Sequence, residues 1–374
     1  MPLYTIDYWF YALLAGFVLH QVWNWVLFSR AAFYKQKEEE GTVLPGVSVV
    51  VAAKNEKKNL QELIPKVLEQ DYPNFELIIV DDHSWDGTYE YLYEQMPHHS
   101  NLHIVSLTEF VHSKPGKKLA LTLGIKKAQN DIIVLTDADC IPTSTGWLKD
   151  IATQYNEEGT ELVFGYSPYM TSVSPLNAII RYEAFYTMWQ YMSFALAGMP
   201  YMGVGRNMSY KKSTFLENKG FAKNLHVPFG DDDLLVQEIA TSKNVQVVLK
   251  PTSHVLSYPS KGIGQWLKQK RRHLSAGKHY HGKFKFLLAL LWLTKASSYL
   301  LSIVYITTAP LSVLGLCIAV LPVALHWLLV IVFNHKNRVF KSWYLFPLLD
   351  ILYQLVLYPL LGFITMLHPK KVNW

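Results

Sequence analysis

The sequence predicts an α/β domain flanked by transmembrane helices, on three observations. Short, uninterrupted β-branched runs alternate with helical patterns through the middle of the chain. Carboxylates collect directly after those runs. Long apolar stretches stand on either side of this middle part.

The elements follow in order. Tyr8 to Phe28 carries no formal charge and is long enough for one bilayer crossing. Arg30, Lys35 and Lys37 come directly after it. A cleaved leader would carry its basic residues before the apolar run, so a retained membrane helix is expected over residues 1–30. By the positive-inside rule those cations lie in the cytoplasm, together with a domain predicted over residues 31–260. That domain opens with "VSVVVAA" (Val47 to Ala53), which reads as a strand buried on both faces. Leu60, Leu63, Ile64, Val67 and Leu68 recur at helical spacing. "FELIIV" from Phe75 is a second strand, "GTYEYLYEQM" a helix, "LHIVSL" a third strand, "KKLALTLGIKKA" a helix and "DIIVLT" a fourth strand. Strand and helix in alternation are the pattern of a parallel sheet with right-handed crossovers, which binds ligands beyond the carboxyl ends of its strands. Residues 261–285 form a basic, amphipathic segment in which Trp266 is expected at the lipid headgroups. Residues 286–374 hold three apolar spans near 286–308, 311–333 and 343–367, interrupted by Lys295, a basic stretch at Asn334 to Lys341 and Asp350.

The chain has 374 residues, of which half are hydrophobic and only 17% charged, too apolar for a soluble protein of this size. Its net charge of +6 sits largely beside the apolar spans, which favours anionic lipid over nucleic acid as a partner. Two cysteines, Cys140 and Cys317, form no disulfide framework and match no metal spacing.

Several clusters have the makings of a site. Asp137 and Asp139 end the fourth strand, and in extended backbone residues i and i+2 face one side. Hard oxygen donors of this kind suit Mg²⁺ or Mn²⁺ completed by substrate phosphates. Asp81 and Asp82 follow the second strand, where a carboxylate can meet a ribose or a base, or cap a helix. Lys117 and Lys118 follow Gly116 at a helix start suited to phosphate, although the Walker pattern is absent. Asp231, Asp232 and Asp233 crowd together, and crowding keeps one carboxylate basic enough to accept a proton. Arg271 and Arg272 can grip a diphosphate bidentately.

The order of these motifs resembles the membrane-bound family 2 glycosyltransferases, whose GT-A domain is also seen in cellulose, chitin and hyaluronan synthases. The matching runs are "VSVVVAAKNEKKNL", "IIVDDHSWDGT", "GKKLAL", "LTDADC", "GRNMSYKKSTF", "GDDDL" and "QKRRH", covering Val47 to His273. The resemblance implies a Rossmann-like mixed sheet and inverting transfer from a nucleotide-diphosphate sugar; the apolar spans add the expectation of a lipid-linked or saccharide acceptor at the cytosolic face of a multi-pass membrane protein, and a bacterial inner membrane is the expected location. The resemblance places Asp82 and Asp81 on the donor nucleotide, and Asp139 on the metal with Asp137 beside it. It makes Asp232 the base with Asp231 next to it. Gly205, Arg206 and Asn207 border the donor sugar and acceptor. Gln269 and Arg272 match the Q-x-x-R part of a Q-x-x-R-W motif. His273 stands where that motif has Trp, which favours non-processive addition. The alternatives are a processive polysaccharide synthase and a non-catalytic membrane assembly subunit. The sequence does not set the oligomeric state.

Overall fold

A computed structural model describes residues 3–36, 43–107, 116–227, 229–308 and 313–367. Ser113 to Pro115 of the lysine motif, and the C-terminal "HPKKVNW", lie outside them.

Along the chain, α1 (Leu3–Trp23) and α2 (Ser29–Phe33) precede β1 (Val47–Ala53), α3 (Lys57–Leu68) and β2 (Phe75–Asp81). Then come α4 (Thr88–Gln95), β3 (Leu102–Ser106), α5 (Lys117–Lys127), β4 (Ile132–Leu135), β5 (Cys140–Pro142), α6 (Trp147–Ala152) and β6 (Leu162–Phe164). They are followed by α7 (Pro175–Leu196), β7 (Met208–Lys211), α8 (Lys212–Glu217), α9 (Asp233–Ile239), β8 (Val245–Val247) and β9 (Val255–Ser257). The chain ends with α10 (Ile263–Gly277), α11 (Gly282–Thr308), α12 (Val313–Asn337), α13 (Phe346–Leu352) and α14 (Tyr358–Leu367).

These elements form two compact units. One comprises the described residues within 36–172 and 194–261 and contains every strand among the described residues. Its sheet has seven strands in the order β3-β2-β1-β4-β7-β6-β8. The predicted strands stand where expected: β1 is buried along its whole length and pairs in parallel with β2 and β4, and β2 pairs in parallel with β3. α3 turns Leu60, Leu63, Ile64 and Val67 into the core, as its spacing requires. α5 approaches the sheet through Gly124, where a Cβ would come within 2.6 Å of Val50 and 2.9 Å of Val80. That close seat explains a helix-weakening residue in mid-helix. The sheet is mixed because β7 runs antiparallel to β4, with Met208 opposite Leu135. Reversal has a direct consequence: the residues before β7 lie at the same sheet edge as the residues after β4. A second, two-stranded sheet pairs β5 with β9 antiparallel.

The other unit comprises the described residues within 3–35, 173–193 and 262–367, so most of α7 groups with the apolar helices. Among the described residues, three of its helices, Gly282–Thr307, Val313–Asn337 and Trp343–Thr365, are long and apolar enough to cross a membrane. Lys295 and Asp350, which interrupt these stretches in the sequence, pair with each other at 2.8 Å and are 3% and 1% exposed. Tyr182 and Tyr299 donate to the same Asp350 carboxylate, and His326 Nε2 lies 3.2 Å from Lys295 Nζ. Buried charge is tolerated in such a setting when it is paired and hydrogen-bonded. Trp266, expected at the headgroups, packs within this unit. It is buried, and its indole N–H donates to Glu183 on α7 at 3.3 Å. Glu183 also pairs with Lys270 at 2.6 Å and accepts from Tyr353 at 2.6 Å, so one carboxylate ties α10 to α7. An indole with a carboxylate partner gains more there than at a wet interface.

Candidate active site

β4 ends at Leu135, and Asp137 and Asp139 follow. They do not continue the strand, as alternation along extended backbone predicted. A turn intervenes, closed by the Cys140 N–H donating to the Asp137 carbonyl at 3.1 Å. β5 then locks Cys140 opposite Ser257. The turn brings together donor atoms of Asp137, Asp139 and Cys140, all within 4.8 Å of one another. Cys140 is therefore part of the cluster, although its spacing in the sequence signalled nothing.

Lys117, at the start of α5, bridges two acids: its ammonium lies 2.9 Å from Asp137 Oδ1 and 3.0 Å from Asp231 Oδ2. Burial works against its charge, but Asp137, Asp231 and Asp232 outweigh burial and hold its pKa well above the ordinary lysine value. Asp231 follows Gly230, whose φ of +77° is a conformation side chains rarely adopt. Asp232 caps α9: its Oδ1 accepts from the Asp233 N–H at 2.8 Å and its Oδ2 from the Gly205 N–H at 3.0 Å. Burial raises the Asp232 pKa, and the Asp231 charge raises it further. Asp139 is likewise raised, by burial and then by Asp137, against the pull of Arg206. Arg206 stacks on Tyr169 at 4.4 Å. Its Nη1 and the Thr136 hydroxyl are buried with no hydrogen-bond partner among the described residues. Buried polar atoms left in this way mark a place for a ligand.

The reversed β7 thus brings Gly205 and Arg206 to the acids. Asn207 has a different place. It is completely buried, with its amide donating to the Tyr166 and Ser253 carbonyls and accepting from Trp147 Nε1. An amide so fully used braces the loop from beneath, and the expected place beside the donor sugar is withdrawn for this residue. Asp81 and Asp82 stand at the carboxyl end of β2, both 0% exposed. Asp82 is held by His83 Nδ1 at 2.9 Å and Lys54 Nζ at 3.6 Å. Burial raises the Asp81 pKa, with Ser84 pulling the other way. Gln269, Arg271 and Arg272 lie on α10, in the unit of apolar helices.

Sequence reasoning passed over Glu56 and read Lys118 with Lys117 as suited to phosphate. Glu56, after β1, has a carboxyl pKa pushed up to about 7 by burial, with the charges of Asp139 and Asp137 adding to it against a hydrogen bond from Asn59. Lys118 is buried, and its ammonium donates to the carbonyls of Asn224 at 2.6 Å and Val227 at 2.9 Å, tethering the loop that leads to Asp231. Its sequence signal was a lysine beside an expected phosphate site.

Residues 48–195 match the family described as glycosyl transferase family 2. A glycosyltransferase, AglE, of Haloferax volcanii is 31% identical over 149 residues, covering 39% of this chain and 47% of that one. A beta-monoglucosyldiacylglycerol synthase of Nostoc is 37% identical over 116 residues, 30% of this chain and 24% of that one. A poly-beta-1,6-N-acetyl-D-glucosamine synthase of Staphylococcus epidermidis is 29% identical over 140 residues, 37% of this chain and 31% of that one. The chain thus spans less than half the length of these curated relatives. Among solved structures, a mannosyltransferase of Pyrobaculum calidifontis superposes with a TM-score of 0.61 at 18% identity, over 98% of this chain and 100% of that one. With the seven-stranded mixed sheet and the acids at its edge, these likenesses give the chain the GT-A fold, with residues 48–195 similar to glycosyl transferase family 2.

Proposed function

We propose that the chain transfers a sugar, with inversion, from a nucleotide-diphosphate sugar to a lipid-linked or saccharide acceptor at the cytosolic face of a membrane, one or a few sugars at a time. The observation that carries this reading is the gathering of Asp137, Asp139, Asp231 and Asp232 around one ammonium, with Arg206 alongside. Carboxylates for a metal and a carboxylate for a proton then share one sheet edge.

Asp139 and Asp137 would hold Mg²⁺ or Mn²⁺, and the donor set fits: two hard carboxylates that converge at the turn, beside buried polar atoms awaiting partners. The mannosyltransferase with the similar fold was solved with GDP-Man and Mn2+. Bound there, the ion would neutralise charge on the departing diphosphate. Asp232 accepts the proton from the acceptor hydroxyl. The freed oxygen forms a bond to the anomeric carbon as the bond from that carbon to the diphosphate oxygen breaks, and the electron pair leaves with the nucleotide. Two backbone N–H groups aim the Asp232 carboxylate, and its raised pKa suits proton acceptance. Lys117 and Arg206 offer positive charge to the phosphates. Asp81 and Asp82 would meet the nucleoside, and Gln269, Arg271 and Arg272 the diphosphate or acceptor. His273 in place of Trp supports a non-processive reaction. The three apolar helices support an acceptor delivered by the membrane.

A donor screen on detergent-solubilised protein tests the reading, with UDP-, GDP- and dTDP-sugars, Mg²⁺ or Mn²⁺, and nucleoside diphosphate release as readout. One donor turned over, with activity lost in Asp139→Ala, is the expected result. No donor bound or turned over would overturn it in favour of a non-catalytic subunit.

A further inference from the structure

Lys117 occupies an unexpected position for a residue assigned to phosphate. Its ammonium lies between the two working groups of acids, 2.9 Å from Asp137 and 3.0 Å from Asp231. One of those contacts is to a carboxylate proposed to hold the ion. We propose that Lys117 acts as an internal competitor for the metal: it weakens ion binding until a diphosphate arrives, so that metal and donor bind together. This rests on the proposed role of Asp137 and Asp139.

The argument is electrostatic. A divalent ion coordinated by Asp137 and Asp139 would stand within a few ångströms of an ammonium on the same Asp137 carboxylate. Two cations at such range in a partly buried site repel strongly. The ammonium is not loosely placed: its side chain is 20% exposed, and those of Asp137 and Asp231 are 28% and 14% exposed. A diphosphate removes the conflict by supplying new anionic oxygens, to which Lys117 can turn while Asp137 is released to the ion. Each ligand then favours the other, as reciprocal coupling requires. Arg206 does not compete in the same way. Its guanidinium is fixed over Tyr169 at 4.4 Å, with Nη1 still seeking a partner.

The test is Mn²⁺ binding to the full chain in detergent, with no nucleotide, read by electron paramagnetic resonance. Lys117→Gln removes the charge and is expected to bind Mn²⁺ at least tenfold more tightly than the wild type. Lys117→Arg keeps the charge and should bind like the wild type. Asp139→Ala should lose the site. Equal or weaker binding by Lys117→Gln, with a site still present, would overturn the proposal alone. No bound Mn²⁺ in any variant would overturn the metal reading with it. Should Lys117→Gln fail to fold, the wild type decides: Mn²⁺ alone, raised until the Asp139-dependent site fills, should change reductive methylation of Lys117. Unchanged labelling at saturation would mean that ion and ammonium coexist, and the proposal would fall.

Discussion

Asn207→Ala separates a brace from a substrate contact. The side chain receives the Trp147 indole N–H at 3.0 Å and gives its two amide hydrogens to the Tyr166 carbonyl at 2.8 Å and the Ser253 carbonyl at 2.9 Å. Truncation leaves the Trp147 N–H and the Ser253 carbonyl each short of a partner, while the Tyr166 carbonyl keeps the Val255 N–H at 3.2 Å. Each buried polar group left unpaired costs about 1–3 kcal/mol, so the two together give about 4 kcal/mol, and water entering the vacated space brings this to about 3 kcal/mol. For a domain of this size that is a drop of about 6–12 °C in melting temperature. Thermal unfolding of the solubilised variant, followed by circular dichroism, measures it, with nucleotide binding by calorimetry below the transition. A melting temperature within about 2 °C of the wild type, together with lost donor binding, would refute the bracing role and return Asn207 to the substrate.

Three further outcomes are expected. Asp232→Asn should keep donor binding near normal while removing most turnover; retained turnover in steady-state kinetics would remove Asp232 from the base role. Glu56 has a folded-state pKa of about 7 against 4.5 in the open chain, so the native state favours its protonated form and loses stability as pH rises between those values. Glu56→Gln should therefore lose less stability than the wild type between about pH 5 and pH 8, by on the order of 1 kcal/mol after allowing for partial exposure, as denaturation at the two pH values will show. Lys118→Met removes two charge-assisted hydrogen bonds from the Asn224 and Val227 carbonyls and should loosen that loop by roughly 2 kcal/mol. Faster hydrogen exchange confined to the residues around Asn224 and Asp231 is the readout.

The parallel half of the sheet was legible because each of its strands is a short apolar run with no competing helical period. Val47–Ala53 is buried along its whole length, and such runs leave little choice of structure. β7 was hidden: four residues in a loop-like sequence carry no period, and their direction is decided by pairing with β4. The acids were found by type, yet the turn that joins Asp137 to Asp139 is set by a backbone hydrogen bond and by β9, from far along the chain. Glu56 and Cys140 were missed for the same reason: proximity across loops leaves no spacing to read. Lys295 looked like a flaw in a membrane span because its counter-ion, Asp350, comes from another helix. Trp266 read as a headgroup anchor because composition shows amphipathy and not what a helix packs against.

The reversed strand has a further consequence, for how such a chain can be lengthened or exchanged in evolution. Leu135 and Met208 are opposed by main-chain pairing, which does not depend on side-chain identity. Asp137, just after one strand, and Arg206, just before the other, are therefore brought to the same sheet edge by that pairing. Much of what the chain inserts between them, including α7, can change in length and composition without shifting that register. Such an insert could be swapped between relatives as a cassette that leaves the Leu135–Met208 pair and its neighbours in place.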